Sequence, residues 1–355
     1  MKHLIVDGMN FLHRSRAGMQ VGPHPLMLNF FRSLRAQVEL HKPNRIYFVL
    51  EGRPEHRYDI MPEYKENRVI QHDDPQFTEK VSELAQFHGR ALDVIMLMER
   101  AFPIHVSKHP HFECDDTIAN IARKLVNPEE PGVTVKMGKE LKEALISNDC
   151  KAHVDEFGDF EGIVQGFVDY GTSTGPEVDV CWKPDMLRYG YKPEQLEVVD
   201  EVVIVSSDTD FIQLLGESKN IKLYNAMKKS FVTYPEYDYV MWKALRGDAT
   251  DNIPGVPGVG DKTAQKLATA VRNDPTLHEL MLYFLKHPGA SEIFQRNLSL
   301  IEFHDFSDED WEGVVTNSGT PDWDHVKAVF EGYGFNSITN DKSWKKFVGT
   351  FEKCK

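Results

Sequence analysis

The sequence G-D-A-T-D-N-I-P-G-V-P-G-V-G-D-K-T-A, residues 247–264, is the most informative stretch of this chain of 355 residues. Gly255, Gly258 and Gly260 allow backbone conformations that are barred to other residues. Their spacing, between two segments with helical patterns, predicts a tight apolar hairpin that joins two helices. We therefore expect a helix–hairpin–helix unit here, although glycine spacing alone also allows a plain helix–turn–helix corner.

The second helix of this unit begins with residues suited to an anionic ligand. Lys262 and Thr263 lie in its first turn, where free backbone amides and the helix dipole bind phosphate. A Walker A loop is excluded, because Asp261 stands where that motif needs its lysine and no strand directly precedes the turn. The acidic pair Asp248 and Asp251 just upstream favours phosphate binding, since a metal ion can bridge acid and phosphate.

Upstream of the hairpin, apolar strands alternate with helical segments. This rhythm predicts an α/β fold with a mainly parallel central sheet and helices on both faces. The predicted elements are the strands His3–Val6, Arg45–Leu50, Ile104–Val106 and Glu201–Val205, and the helices Leu26–Leu40, Phe77–Phe102 (broken near Gly89) and Asp115–Val126. We assign 1–126 and 201–246 to this α/β domain, 127–200 to an acidic insertion, and 247–355 to the helix–hairpin–helix unit with a C-terminal helical region.

Carboxylates directly follow the predicted strands. Asp7, Glu51 and the pair Asp208 and Asp210 stand at strand ends, and such ends lie along one edge of a parallel sheet. A further group, E-C-D-D at 113–116, opens a helix, where acids also act simply as caps. One such acid alone is more often structural, but seven or more on one edge repel strongly unless divalent metal ions neutralise them. Hard oxygen ligands favour Mg²⁺ or Mn²⁺ over zinc, and two such ions suit phosphodiester cleavage.

The net charge of −14 is a poor guide to the partner of this protein. Residues 127–200 hold 16 acidic and 7 basic residues, so the insertion carries −9 and the rest of the chain −5. Nine carboxylates outside the insertion belong to the motifs, and without them that remainder would carry +4. Once metal ions hold the acids, the other surfaces can therefore be basic enough for nucleic acid.

Composition also excludes several classes of protein. No apolar run approaches the ~18 residues that a membrane span needs, and the first residues turn polar too soon for a secretory signal. The four cysteines are scattered and form no C-x-x-C pair, which favours reduced thiols over a disulfide or zinc framework. We predict a cytoplasmic monomer with no membrane partner.

Five stretches, in order along the chain, resemble the flap endonuclease superfamily of 5′ nucleases. They are I-V-D-G-M-N (5–10), E-Y-K-E-N-R (63–68), E-C-D-D (113–116), I-V-S-S-D-T-D-F-I-Q-L (204–214) and the glycine-rich stretch (247–264). The bacteriophage 5′→3′ exonucleases, including the phage ribonuclease H type, and the 5′-nuclease domain of bacterial DNA polymerase I are the most similar in appearance. The resemblance implies a nuclease that removes 5′ flaps or RNA primers from DNA during replication, in the host cytoplasm if a phage encodes it.

The resemblance also implies roles for particular residues. The ligands of two or more Mg²⁺ ions, or of Mn²⁺ in their place, would fall into two sets. The first would be Asp7, Glu113, Asp115 and Asp116, the second Asp208, Asp210, Asp248 and Asp251, and Glu51 would be a further ligand. Lys65 and Arg68 would contact the scissile phosphate from the base of a helical arch at residues 60–102, where Tyr64 either stacks on a base or packs inside the protein. The duplex backbone, often with a bound K⁺, would be held by Gly255, Gly258, Gly260, Lys262 and Thr263.

Two features depart from the family pattern. Glu51 stands where the family normally has Asp, so its extra methylene either still lets it reach a metal ion or weakens the site. The insertion at 127–200 replaces a short connection, and its acidity predicts a steric guard or a surface for docking replication proteins. Two other readings stay open, namely a PIN-type ribonuclease, which the hairpin argues against, and a DNA-binding protein silenced by Glu51.

Overall fold

The computed structural model describes residues 1–20, 22–126, 133–137, 177–180, 196–198, 200–273 and 278–354. The strands of these residues, in chain order, are β1 Lys2–Asp7, β2 Arg45–Leu50, β3 His105–Lys108, β4 Val133–Met137, β5 Glu177–Val180, β6 Leu196–Val198, β7 Glu201–Val205, β8 Ile221–Asn225, β9 Ser230–Phe231, β10 Gly247–Asp248, β11 Ile253–Pro254 and β12 Val315–Ser318. The α-helices are α1 Gly8–Arg16, α2 Pro25–His41, α3 Glu55–Ile60, α4 Phe77–Ala101, α5 Cys114–Val126, α6 Ile212–Glu217, α7 Tyr239–Arg246, α8 Asp261–Asn273, α9 His278–Lys286, α10 Ala290–Ile301, α11 Asp308–Glu312, α12 Trp323–Gly332, α13 Asn336–Thr339 and α14 Asp341–Phe351.

A seven-stranded sheet of order β12-β3-β2-β1-β7-β8-β9 organises the fold. Its five inner strands are parallel, and the short strands β12 and β9 pair antiparallel at the two edges. The chain builds outward from β1 to β3 on one side and then from β7 to β8 on the other. The strand order therefore reverses between β1 and β7, which is the place where α/β sheets bind ligands. The predicted mainly parallel α/β fold is confirmed.

Alternate residues of β1 pack into two different cores on the two faces of the sheet. Leu4 and Val6 belong to a core formed with α1, α2 and α4. Ile5 belongs to the core on the other face, together with buried residues of α5 and α6. Strands that are apolar on both faces are typical of parallel sheets covered by helices, which agrees with the predicted layers.

The long helix α4 differs from its prediction, because it runs unbroken through Gly89. Gly89 has an ordinary backbone conformation and faces open space, so it has no need to interrupt the helix. From Phe87 onward the helix buries Ala91, Val94 and Met98 in the first core. The predicted arch at 60–102 is therefore too long, since only the residues before Phe87 are free of this packing.

The C-terminal residues also differ from their prediction as part of a separate helical region. β12 extends the central sheet beyond β3, and α12 and α14 bury Phe330, Phe347 and Phe351 in the first core. The ring of Phe351 lies 5.3 Å from that of Phe102, centroid to centroid, in an edge-to-face contact. Residues 315–351 thus complete the α/β domain, and the boundary predicted at residue 247 is wrong for them.

The glycine-rich stretch forms the predicted hairpin between two helices, here α7 and α8. These helices pack with α10 around a third core. The buried amide of Asn297 on α10 donates hydrogen bonds to the carbonyl oxygens of Ala244 and Pro254, at 2.9 and 2.8 Å. Buried backbone carbonyls need such partners, so Asn297 fixes the end of α7 and the start of the hairpin.

The predicted insertion at 127–200 falls mostly outside the described residues, as do its predicted short helix at 139–146 and its loop at 171–176. Its described parts are β4, β5 and β6, which form an antiparallel sheet of order β5-β4-β6. Among the described residues, no helix is long and apolar enough to cross a membrane.

Replacing Phe347 by Ala tests whether α14 belongs to the α/β core. Phe347 is fully buried, so its loss should lower the free energy of unfolding by about 3–5 kcal/mol, measured by urea denaturation. The control Leu285→Ala removes a side chain on α9 that is 79% exposed, and should change that value by less than ~0.5 kcal/mol. An equally small effect at Phe347 would contradict this assignment.

Candidate active site

A cleft of about 590 Å³ opens at the carboxyl edge of the sheet, over the junction of β1 and β7. Eight of the nine predicted metal ligands line it, namely Asp7, Glu51, Glu113, Asp115, Asp208, Asp210, Asp248 and Asp251. Lys65 and Arg68 also line it, together with Lys243, which the sequence analysis did not single out. The structure therefore brings together acids that are up to 244 positions apart in the sequence.

Asp7, Glu51, Asp115 and Asp208 form what we call the first carboxylate group. Asp7 is fixed at its centre, because it accepts hydrogen bonds from the hydroxyl of Ser206 at 2.6 Å and the backbone amide of Asn10 at 3.1 Å. One carboxylate oxygen each of Asp7 and Asp115 lies, with the thiol sulfur of Cys114, in a set whose members are all within 4.8 Å of one another. The geometry suits a cation held between carboxylates.

The acids of the first carboxylate group have raised pKa values and, among the described residues, no ion-pair partner. Burial raises the pKa of Asp115 well above its usual range, and the neighbouring Asp208, Asp7 and Glu51 raise it further. Burial and then Asp210 raise the pKa of Asp208 to about 6. Within the described part of the chain, none of the four acids forms an ion pair with lysine or arginine. Such uncompensated negative charge fits a divalent cation, whose binding would favour the ionised acids.

Glu51 reaches this group despite its difference from the family pattern. Desolvation within the cleft raises its pKa from 4.5 to about 7, and the charges of Glu113 and Asp7 add to the shift. Solvent reaches the side chain at the mouth of the cleft, although protein atoms surround the carboxylate on most sides and account for its desolvation. The extra methylene therefore leaves the carboxylate among the other acids.

Asp210, Asp248 and Asp251 form the second carboxylate group, in which one oxygen of each lies within 4.8 Å of the others. Unlike the first group, it is neutralised by protein cations. The ammonium of Lys243 contacts Asp210 and lies 2.7 Å from Asp248, while Arg68 pairs with Asp251. Burial alone would raise the pKa of Asp248, but Lys243 and Thr250 outweigh it and lower the value to about 2.

Lys65 and Arg68 lie on a loop that is bound to the turn between β10 and β11. The amide nitrogen of Lys65 donates to the carbonyl of Asp251 at 3.0 Å, and the side chain of Asn67 donates to the carbonyl of Ala249 at 2.9 Å. The ammonium of Lys65 lies 2.5 Å from Glu113. Lys65 and Arg68, which were predicted to contact the scissile phosphate, therefore both lie in the cleft and are paired with acids.

Tyr64 is packed inside the protein, which is one of the two roles considered for it. It is 3% exposed, and its hydroxyl donates a hydrogen bond to Glu113 at 3.0 Å. Stacking on a base beside the cut is therefore wrong for Tyr64 in this structure. Its ring and hydroxyl instead support the loop that carries Lys65.

Asp116 does not line the cleft, so its predicted role as a metal ligand is corrected. The fully buried carboxylate accepts two hydrogen bonds from the guanidinium of Arg57, at 2.5 and 2.8 Å. Arg57 also donates to Glu113 at 3.1 Å and to the carbonyl of Leu300 at 3.0 Å. This bidentate pair joins α3, α5 and the end of α10. Nothing in the local sequence marks Arg57, because its partners are distant in the chain.

The hairpin glycines have unequal roles. Gly258 has a φ of 79°, in the left-handed region, as predicted for a residue that must be glycine. A Cβ on Gly255 would lie 2.1 Å from the carbonyl oxygen of Arg246, so the close approach of two backbones excludes a side chain. Gly260 shows neither constraint, and the conformational reason predicted for it is wrong. Gly247, which was not predicted, combines a φ of 77° with a Cβ clash of 2.3 Å against Gly255.

Lys262 and Thr263 are exposed in the first turn of α8, as predicted. The turn also contains Asp261, which accepts a hydrogen bond from the indole of Trp242 at 3.0 Å and lies 3.8 Å from Arg246. The acid at this helix end is therefore already paired, which leaves the lysine and threonine facing solvent.

In sequence, the chain is similar to known 5′-3′ exonucleases. Residues 2–140 match the family described as the 5′-3′ exonuclease N-terminal, resolvase-like domain. A 5′-3′ exonuclease of Mycobacterium tuberculosis is 23% identical, over 78% of this chain and 72% of its own. DNA polymerase I of Pseudomonas aeruginosa is 26% identical over 76% of this chain, but the match spans only 22% of that larger protein.

The fold also has a match among solved structures. The flap endonuclease D15 of bacteriophage T5, in a pseudo-enzyme–product complex with DNA and metal ions, superimposes with a TM-score of 0.53. The alignment covers 99% of this chain and 100% of that chain at 16% identity, and it shows a shared fold.

Sequence and fold together place the protein among the nucleases. More particularly, residues 2–140 carry the match to the 5′-3′ exonuclease N-terminal domain family, and the chain is similar in sequence to 5′-3′ exonucleases.

The raised pKa of Glu51 predicts that the free energy of unfolding of the metal-free protein depends on pH. The folded state keeps the Glu51 proton to about pH 7, whereas the unfolded chain releases it near pH 4.5. Stability should therefore fall as pH rises through this window. We expect the free energy of unfolding in EDTA to decline for the native protein relative to Glu51→Gln between these pH values, in urea titrations. If the free energies of unfolding of the two proteins differ by the same amount at every pH, the raised pKa of Glu51 is contradicted.

Proposed function

We propose that this protein is a divalent-metal-dependent 5′ nuclease that hydrolyses phosphodiester bonds near the 5′ ends of DNA or RNA–DNA hybrids. Removal of 5′ flaps and RNA primers in replication is the process that fits this activity. The observation that carries the proposal is the first carboxylate group, whose acids form no ion pair with lysine or arginine within the described residues. A protein that only bound DNA would gain nothing from such a group beside the phosphates.

The proposed metal ions are Mg²⁺, with Mn²⁺ as a substitute, because the available ligands are carboxylate oxygens. The first carboxylate group would hold one ion, and the second group, with Asp210, Asp248 and Asp251, would hold another. Bound metal ions supply a hydroxide nucleophile and stabilise the leaving oxygen. Ser206 and Asn10 contribute by orienting Asp7, whose carboxylate they hold from two sides.

The basic residues around the cleft are proposed to bind the substrate. Lys65 and Arg68 would turn from Glu113 and Asp251 to the scissile phosphate, which offers the same kind of charge-assisted hydrogen bonds. Lys262, Thr263 and the amides at the start of α8 would hold a backbone phosphate of the duplex. A K⁺ ion at the hairpin would add to this contact, as is common in the family.

The segment before Phe87 is proposed as the arch over the single-stranded 5′ end. It comprises the Lys65 loop and the first turns of α4, which are exposed. Docking of replication proteins on residues 127–200 stays a prediction, as do the monomeric state and the cytoplasmic location. Of the alternatives, a PIN-type ribonuclease is disfavoured by the hairpin, and silencing by Glu51 is disfavoured by its position among the acids.

Cleavage of a 5′-flap duplex tests the proposed function. The purified protein should cut near the flap junction in Mg²⁺ and not in EDTA. Asp208→Asn should lower the cleavage rate roughly 100-fold or more while sparing binding, since metal charge supplies several kcal/mol of transition-state stabilisation. The control Asp305→Asn makes the same change at a side chain that is 85% exposed and paired with Arg123, outside the cleft, and should cut normally.

Two results would contradict this proposal in different ways. Full cleavage by Asp208→Asn would refute the metal assignment. Tight flap binding by the native protein, with no cutting in Mg²⁺ or Mn²⁺, would favour the silent DNA-binding protein and make Glu51→Asp the first reversion to examine.

The role of the hairpin predicts a change in salt dependence. Lys262→Ala should weaken duplex binding, and the slope of log K against log salt should become shallower by about one unit, because one phosphate contact is lost. Fluorescence anisotropy over a range of KCl concentrations measures this slope. Lys327→Ala on α12, remote from the hairpin, is the matched control. An unchanged slope in Lys262→Ala would refute the phosphate contact.

A further inference from the structure

Lys243 is the least expected residue of the cleft. It lies on α7, is only 6% exposed, and directs its ammonium into the second carboxylate group. There it contacts Asp210 and lies 2.7 Å from Asp248, so a single charge serves two acids. Lysine is almost never buried to this extent unless it is paired.

The two carboxylate groups therefore differ in how their charge is balanced. In the first group one oxygen each of Asp7 and Asp115 lies close to the thiol of Cys114, and neither these two acids nor Asp208 forms an ion pair with lysine or arginine in the described residues. In the second group the ammonium of Lys243 already lies between two of the three acids. A cation that enters the first group meets acids that form no ion pair with lysine or arginine in the described residues, whereas one that enters the second meets the ammonium of Lys243.

The helix holds Lys243 firmly at this place. α7 begins with Asp238, which accepts a hydrogen bond from the backbone amide of Met241 at 2.9 Å, and it ends at Gly247, whose φ of 77° turns the chain sharply. Tyr239, one turn before Lys243, donates its hydroxyl to the same Asp210 at 3.3 Å. The backbone around Lys243 is thus anchored at both ends, and only the side chain is free to leave the acids.

We propose that Lys243 is a built-in counter-ion of the second carboxylate group, which a second divalent ion must displace. This inference rests on the proposed function, because it assumes that both groups hold metal. It follows that the two ions bind with unequal affinity, the first group taking its ion before the second. The displaced ammonium stays tethered to α7 at the cleft, where the phosphate of a nucleic acid is a new partner of suitable charge.

Counting bound Mn²⁺ ions tests this proposal without any need for cleavage. The full-length protein is titrated with Mn²⁺, and free Mn²⁺ is followed by electron paramagnetic resonance. The native protein should bind one ion tightly and a second weakly. Lys243→Met, similar in length but uncharged, should bind the second ion roughly tenfold or more tightly, as expected when a like charge a few Å away is removed. The affinity for the first ion should not change.

Three further proteins complete the experiment. Lys243→Gln keeps a hydrogen-bond donor for the acids and should show the same tightening. Lys327→Met, on α12, makes the same change as Lys243→Met away from the cleft, and should titrate like the native protein. Asp115→Asn should lose the tight ion, which identifies it with the first carboxylate group.

Protein stability gives a second measurement if the methionine variant folds poorly. Removing the ammonium leaves Asp210 and Asp248 without their cation, so Lys243→Met should melt at a lower temperature than the native protein in EDTA. Saturating Mn²⁺ should raise its melting temperature by more than it raises that of the native protein, because a bound ion stabilises the folded state.

The outcomes separate this inference from the proposed function. If the first ion binds and the second binds no more tightly to Lys243→Met and Lys243→Gln than to the native protein, the role of Lys243 is refuted and the nuclease proposal stands. If no Mn²⁺ binds to any of these proteins, both proposals fail together.

Discussion

Mutual repulsion among carboxylates at one edge of the sheet is the constraint on which the site depends. The strand order brings the ends of β1, β2 and β7 together, and each end carries an acid. In water and apart from one another, these groups would have ordinary pKa values, but burial and the neighbouring acids raise the pKa of Asp115, Asp208 and Glu51 at the switch point. The rest of the cleft can be understood as the means by which this charge is tolerated.

Three different means are visible in the structure. Asp116 is neutralised permanently by Arg57, in a buried pair that also joins three helices. The second carboxylate group is paired with Lys243 and Arg68, whose side chains we propose are exchanged for metal and phosphate. The first group has no such partner in the described residues and is left for a metal ion. An acid with a permanent partner thus lies behind the cleft, while acids with and without a protein cation line it, and this difference separates the structural acid Asp116 from the acids open to solvent.

The sequence predicts much of this arrangement where the signal is local. Apolar runs that end in acids predict the strands and the cleft, and Gly258 predicts the hairpin. Both signals are local, because hydrophobic patterning and backbone conformation depend on a few neighbouring residues. Arg57 and Lys243 could not be found in this way, since each is defined by partners far along the chain. Asp116 was misassigned for the same reason, as neighbouring acids in E-C-D-D point to opposite sides of a helix start. α4 was divided at Gly89 because a single glycine weakens a helix in isolation, whereas packing of the residues beyond it sustains the helix here.

The antiparallel strand β12 and the helices that follow it have a consequence for biosynthesis. The first core is begun by residues near the amino terminus, yet its aromatic centre is completed by Phe330, Phe347 and Phe351. During translation, β3 therefore stays an open sheet edge, and α2 and α4 keep an uncovered apolar face, until residues 315–351 have also left the ribosome. Completion of this layer therefore depends on residues that are made more than 200 positions after α4.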